Sequence, residues 1–137
     1  MAGVNPARDW NDLKEIFRRH RFFVHTAEPL LEDGYNMATL EAMAAGLPVL
    51  GNCHPTSPIR NGVNGFPSDD PAELRMFAWQ LIRDSDLAMR LGAEAQKTVT
   101  ELFSTEKSTS RIARSIETAQ KKWTEFHAST LATHAEI

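Results

Sequence analysis

Two short runs of strand-forming residues, Phe22-Phe23-Val24 and Pro48-Val49-Leu50, bracket a stretch from Tyr35 to Ala45 that is rich in Ala, Met and Leu. Aromatic and β-branched residues suit the pleated, buried surface of a strand, whereas Ala, Leu, Met and Glu lose little freedom in a helix. Thr39 is the one β-branched residue of the middle stretch, and Gly46 follows it as a left-handed helix end. Two strands joined through a helix cannot pair as a hairpin. The crossover makes them parallel, and a parallel sheet needs helices on both faces. This feature sets the class: an α/β, Rossmann-like three-layer domain built on a small parallel sheet.

The flanks agree with it. From Asp9 to His20, the residues Trp10, Leu13, Ile16 and Phe17 fall at helical spacing, with Lys14, Glu15, Arg18 and Arg19 on the other side. A polar loop follows the first strand from His25 to Gly34. After a turn-rich stretch from Gly51 to Ser57, Asn61-Gly62 and Asn64-Gly65 read as tight turns leading to Phe66, and about three strands are expected in all. Asp70-Pro71-Ala72-Glu73 starts a helix with an acidic cap and Pro at the first position, and Leu74, Phe77, Ala78, Leu81 and Ile82 form its inner stripe. Ser85 is expected to cap another, with Leu87, Leu91, Ala95, Val99 and Leu102 inward. A C-terminal helical extension at 105–128 carries Ile112, Ile116, Ala119, Trp123 and Phe126 alternately four and three apart, a narrow seam expected to pack on the domain. The tail 129–137 reads as frayed. A chain of 137 residues has room for one core, so 1–128 is expected to be one domain.

Several chemistries are excluded at this level. The net charge of −3 arises from acids and bases scattered in both signs, without the basic face that nucleic acid needs. Cys53 has no second cysteine to pair with, and the five histidines lack metal-binding spacing. No apolar run approaches the roughly 20 residues of a membrane span, and no signal peptide opens the chain, so a cytoplasmic protein is expected.

The informative chemistry lies between Glu32 and Val49. A helix beginning near Gly34 or Tyr35 aims its free N–H groups at the carboxyl end of the preceding strand, where open parallel sheets place ligands and where an anion is stabilised. Gly34 leaves those amides open, and Asp33 is placed at the cap. Glu41, two turns beyond Gly34, is an acid in an apolar helix, so it must be paired or liganded. Such a face suits a diphosphate flanked by hydroxyl-rich sugars. A plain helix cap for Asp33 and an arginine partner for Glu41 are the alternatives. His25 sits where the first strand empties toward this edge, and the Asn52 to Pro58 loop leaves the second strand beside it.

These residues, Asp33-Gly34-Tyr35-Asn36 and then Leu40-Glu41-Ala42-Met43-Ala44-Ala45-Gly46-Leu47-Pro48-Val49, resemble the signature of the family-4 glycosyltransferases (glycosyl transferases group 1), two acids with seven residues between them. Asn61-Gly62-Val63-Asn64-Gly65-Phe66, Asp70-Pro71 and Leu91-Gly92 extend the likeness to about Phe103. The resemblance implies a GT-B enzyme, in which two Rossmann-like domains face each other and the C-terminal one binds a nucleotide sugar without a metal. It implies that Asp33 contacts the transferred sugar and Glu41 the ribose, and that Gly34, Tyr35, Asn36 and Met37 offer backbone amides to sugar and phosphates. Two departures stand out: the first acid is normally Glu, and the Arg and Lys that neutralise the diphosphate have no counterpart before Arg21.

The expected function is therefore retaining transfer of a sugar from a nucleotide-diphosphate sugar to an unknown acceptor. This chain is the donor-binding part, truncated, and is not expected to transfer sugar alone. A non-catalytic nucleotide-sugar-binding or interaction module is the alternative, and a GT-B sugar epimerase fragment would lack this acid pair. The expected partners are the nucleotide sugar, a separate chain or domain supplying the acceptor-binding half, and a second copy through a bare sheet edge.

Overall fold

The computed structural model describes residues 6–28 and 35–134. In chain order the elements are α1 (Trp10–Arg19), β1 (Phe23–His25), α2 (Met37–Ala44), β2 (Val49–Gly51), β3 (Gly65–Pro67), α3 (Pro71–Arg83), α4 (Ser85–Leu102) and α5 (Thr105–His134). The chain divides into two compact units, Met1–Leu102 and Phe103–Ile137.

In the first unit the three strands form an open parallel sheet in the order β1-β2-β3, with Phe23 opposite Val49 and Val49 opposite Gly65. Both anticipated strands start one residue later than the sequence suggests. Pro48 lacks the N–H that a ladder needs, yet its carbonyl accepts from Phe23 N–H at 3.0 Å, so it leads into the strand instead of belonging to it. Successive residues of central β2 face opposite sides. Val49 joins Phe17, Ala42, Met43, Leu47 and Ala95 in one core, while Leu50 joins Phe66, Leu74, Leu81, Ala88 and Leu91 in the other. The α/β Rossmann-like class is thereby observed.

Local caps fix most helix ends. The Asp9 carboxylate accepts from the N–H groups of Asn11 and Asp12, and that of Asp70 from Ala72. Asp84 serves two helices. Its N–H donates to Gln80 O at 2.9 Å, closing α3, and its carboxylate accepts from Leu87 N–H at 2.9 Å, opening α4. Ser85 is thus the first residue of α4 and not its cap. The buried stripe of α4 is Ala88, Leu91, Gly92, Ala95 and Thr98, with Leu87 and Val99 at its margins. On α3, Leu74 and Leu81 are buried, Phe77 stacks on Phe66 at 4.2 Å, and Ile82 is exposed where the sequence pattern had placed it inward.

The segment before β3 departs most from expectation. Gly62 is left-handed, at φ 69°, as a turn requires. Asn64, however, is fully buried and holds the loop to α4. Its carbonyl oxygen accepts from Arg60 N–H at 2.6 Å, and its amide donates to Pro58 O and Thr98 Oγ1, each at 3.0 Å. Gly65 is a strand residue in extended backbone, and a Cβ there would lie 2.1 Å from Val49 O. Replacing Asn64 by Ala takes the partner from Arg60 N–H and Pro58 O, while Thr98 Oγ1 keeps its bonds to Arg60 and Glu94, an expected loss of about 2–3 kcal/mol. Urea titration should show a lower midpoint at unchanged slope; an unmoved midpoint would show that water replaces the carboxamide without cost.

Candidate functional site

Asp33 and Gly34 lie outside the described residues, and the site is built from what surrounds them. Tyr35 and Asn36 lead into α2, whose first residue is Met37. The Asn36 carboxamide oxygen accepts from the N–H groups of Ala38, at 2.9 Å, and Thr39, at 3.4 Å. This is a correction to the sequence reading: Asn36, not Asp33, caps the helix, and neither Gly34 nor Tyr35 begins it. A short polar side chain closer to the first turn reaches the orphan amides directly. Two of those amides are therefore taken, and among the described residues the cap leaves the N–H groups of Asn36 and Met37 open at the helix mouth.

Glu41 stands one turn beyond Met37 on the same face, opposite the inward-facing Thr39, Leu40, Ala42 and Met43. Met37 is 67% exposed and Glu41 half-buried. Glu41 faces a cavity of about 330 Å³ that it shares with Trp10, Lys14, Phe17 and Arg18 of α1 and with Gln96 of α4. Gln96 donates from Nε2 to Ala44 O at 3.0 Å, tying α4 to the end of α2. Arg18 is engaged by Glu15 at 2.5 Å. Among the described residues, neither Glu41 nor Lys14 has an ion pair, and the Glu41 carboxylate accepts no hydrogen bond from the protein. The arginine lock weighed for Glu41 is thus not what the described residues contain.

The carboxyl edge of the sheet is cross-tied. The Asn52 Oδ1 accepts from Ala27 N–H at 2.7 Å, its Nδ2 donates to Asp69 Oδ1 at 3.4 Å, and the same Asp69 oxygen accepts from Cys53 N–H at 2.9 Å. The exits of β1, β2 and β3 are joined by these contacts. His25 ends β1, its ring stacked 6.5 Å from that of Phe23. With Thr39, Asn52, His54 and Ser57 it lines a cavity of about 10 Å³, room for one water. His25 and Glu41 consequently border different cavities, on opposite sides of α2. Partial desolvation, with the charge of Asp69 second, pushes the Cys53 thiol up, so Cys53 is not poised as a nucleophile.

Among the described residues, no three His, Cys, Asp or Glu side chains converge on a point where a metal ion would sit, and no helix is long and apolar enough to cross a membrane. Sequence reasoning missed Trp10, Lys14 and Gln96 beside Glu41, because Lys14 stands on the side of α1 that its charged neighbours mark as solvent-facing. It is half-buried.

The family model described as glycosyl transferases group 1 matches residues 3–84. A sucrose synthase of Melioribacter roseus is 36% identical over 98 residues, which cover 65% of this chain and 12% of that protein. The chain therefore spans about an eighth of the length of this relative. No solved structure matches.

Proposed function

Because the chain belongs to the glycosyl transferases group 1 family, we propose that it is the donor-binding part of a retaining glycosyltransferase that uses a nucleotide-diphosphate sugar. The observation that carries this reading is Glu41: a half-buried acid on an apolar helix, without a protein partner among the described residues, facing a cavity of about 330 Å³. A carboxylate there accepts hydrogen bonds from the paired hydroxyls of a ribose. Lys14 in the same cavity supplies positive charge for a phosphate, and the Trp10 ring supplies a flat apolar wall.

Asp33 then holds the transferred sugar, while the backbone of Gly34, Tyr35, Asn36 and Met37 receives the diphosphate and His25 borders the sugar end. Lys14 and these amides neutralise the leaving group without a metal. Transfer needs a facing wall that excludes water and orients the acceptor, so a separate domain or chain supplies the acceptor-binding half. Among the described residues no strand pairs with the outer edge of β1, where Val24 is exposed, and that edge takes a further strand from that partner or from a second copy. The unpaired Cys53 supports a reducing, cytoplasmic setting. Asp33, one methylene shorter than the usual Glu, favours as a second reading a module that binds the nucleotide sugar and transfers nothing; transfer after addition of an acceptor-binding half would exclude it.

The first test is calorimetric titration of the chain with UDP, GDP and their glucose conjugates. At least one is expected to bind with a Kd on the order of micromolar to millimolar. Heats no larger than dilution for all of them would leave only a fold.

A further inference from the structure

The second unit contains α5, whose residues 111–127 are all exposed. Its large apolar side chains fall on one line: Ile112 is 60% exposed, Ile116 52%, Trp123 66% and Phe126 65%. Together with Ala119 they alternate four and three residues apart, the spacing at which one helix meets another. Packing on a globular surface takes a wider stripe.

The residues bordering the line say what kind of helix fits it. Ala113, Ser115, Gln120, Lys122 and His127 flank the seam, and of these only Lys122 carries a fixed charge. Partners selected by charge need charged flanks, which are lacking here. A second copy of the same helix meets almost no like-charge opposition, since Lys122 can run its stem along the seam and keep its ammonium in water. The other charges of 111–127, Arg111, Arg114, Glu117, Lys121 and Glu125, lie off the seam, and Lys121 and Glu125 pair at 3.9 Å. Size favours one orientation. Parallel pairing would set Trp123 against Trp123 and leave Ala119 facing Ala119, whereas antiparallel pairing sets the large Trp123 over the small Ala119. The Trp123 ring is held for this by His127, whose ring lies 3.9 Å away and whose Nδ1 donates to Trp123 O at 3.0 Å. Covering the two aromatics and two isoleucines of both copies removes on the order of 1,000 Å² from water, about what a specific interface requires.

We propose that α5 is a self-association surface, pairing antiparallel with α5 of a second copy of this chain. Sedimentation velocity of the full chain over a concentration series tests it. The wild type is expected to pass from monomer to dimer as concentration rises. Trp123→Glu should be monomeric throughout, its dissociation constant raised by at least about 100-fold, with the thermal unfolding of the first unit unchanged. Ala119→Trp is the second variant. It enlarges the apolar surface, so indiscriminate hydrophobic association would strengthen, whereas a pair that places Trp123 over Ala119 must weaken. A wild type that stays monomeric at 100 μM (on the order of the highest concentration a weak interface needs), including one in which the seam proves protected within a monomer, would overturn the proposal. So would tighter association of Ala119→Trp.

Discussion

Replacing Gly92 by alanine is expected to lower the melting temperature of the first unit by about 10 °C. Two effects of opposite sign compete at this position. Gly92 lies inside α4, where alanine is the better helix former by about 1 kcal/mol, so helix propensity alone predicts a more stable protein. A Cβ at Gly92, however, would stand 2.0 Å from Gly46 O and 3.4 Å from Pro48 Cδ. The obstacle is backbone, not the end of a mobile side chain. Gly46 is itself left-handed, at φ 84°, and its N–H is committed to Met43 O, so its carbonyl cannot swing aside without disturbing the junction of α2 and β2. Overpacking of this kind costs about 3 kcal/mol or more against a backbone that cannot relax, which outweighs the propensity gain. At about 3–5 °C per kcal/mol for a domain of this size, a net loss of about 2–3 kcal/mol gives the stated shift. Gly62→Ala is the control: its φ of 69° costs it something, but nothing lies within 4 Å of the new methyl, so its melting point should fall by much less. Calorimetry of both variants decides the matter. A melting point for Gly92→Ala above that of the wild type would mean that α4 and the Gly46 turn are not in the contact described.

Gly92 also illustrates what a sequence makes visible. The helix start at Asp70 and the left-handed end at Gly46 were legible because a cap or a glycine acts on the residues beside it, and α1 was legible from its helical spacing, without its Asp9 cap. The parallel sheet was legible because strand, long helix and strand admit no other pairing. The start of α2 was not, since Asp33, Gly34 and Asn36 all qualify as caps and only geometry selects Asn36. Asn64 looked like a turn residue, and its second role depends on Thr98, 34 positions away. The same distance problem governs the candidate site. That Glu41 required a partner or a ligand followed from its apolar neighbours; that Trp10, Lys14 and Gln96 surround it came from packing α1 and α4 against α2, which no local pattern encodes. The exposed Ile82 has the same origin, since helical spacing places it inward and the tertiary surface leaves it out.

Glu41→Ala is expected to weaken binding of the preferred nucleoside diphosphate by about 100-fold while leaving the fold intact. Hydrogen bonds from hydroxyls to a carboxylate are charge-assisted, and losing two of them costs about 3 kcal/mol. Glu41→Gln keeps the size and one acceptor oxygen but loses the charge, so a smaller loss, about 10-fold, is expected. Inorganic pyrophosphate has no ribose, and its binding should be indifferent to either substitution. The stability readout separates a ligand-binding acid from a structural one. An acid that anchors the fold lowers the melting point by several degrees when removed. Glu41 has no protein partner among the described residues and stands half-buried, so desolvation makes its free state a cost, and alanine should leave the melting point unchanged or slightly raised. The two measurements therefore cross. Lost affinity at constant stability places the ribose at Glu41; lost stability at constant affinity would make Glu41 a packing residue and remove the donor site from this face of α2.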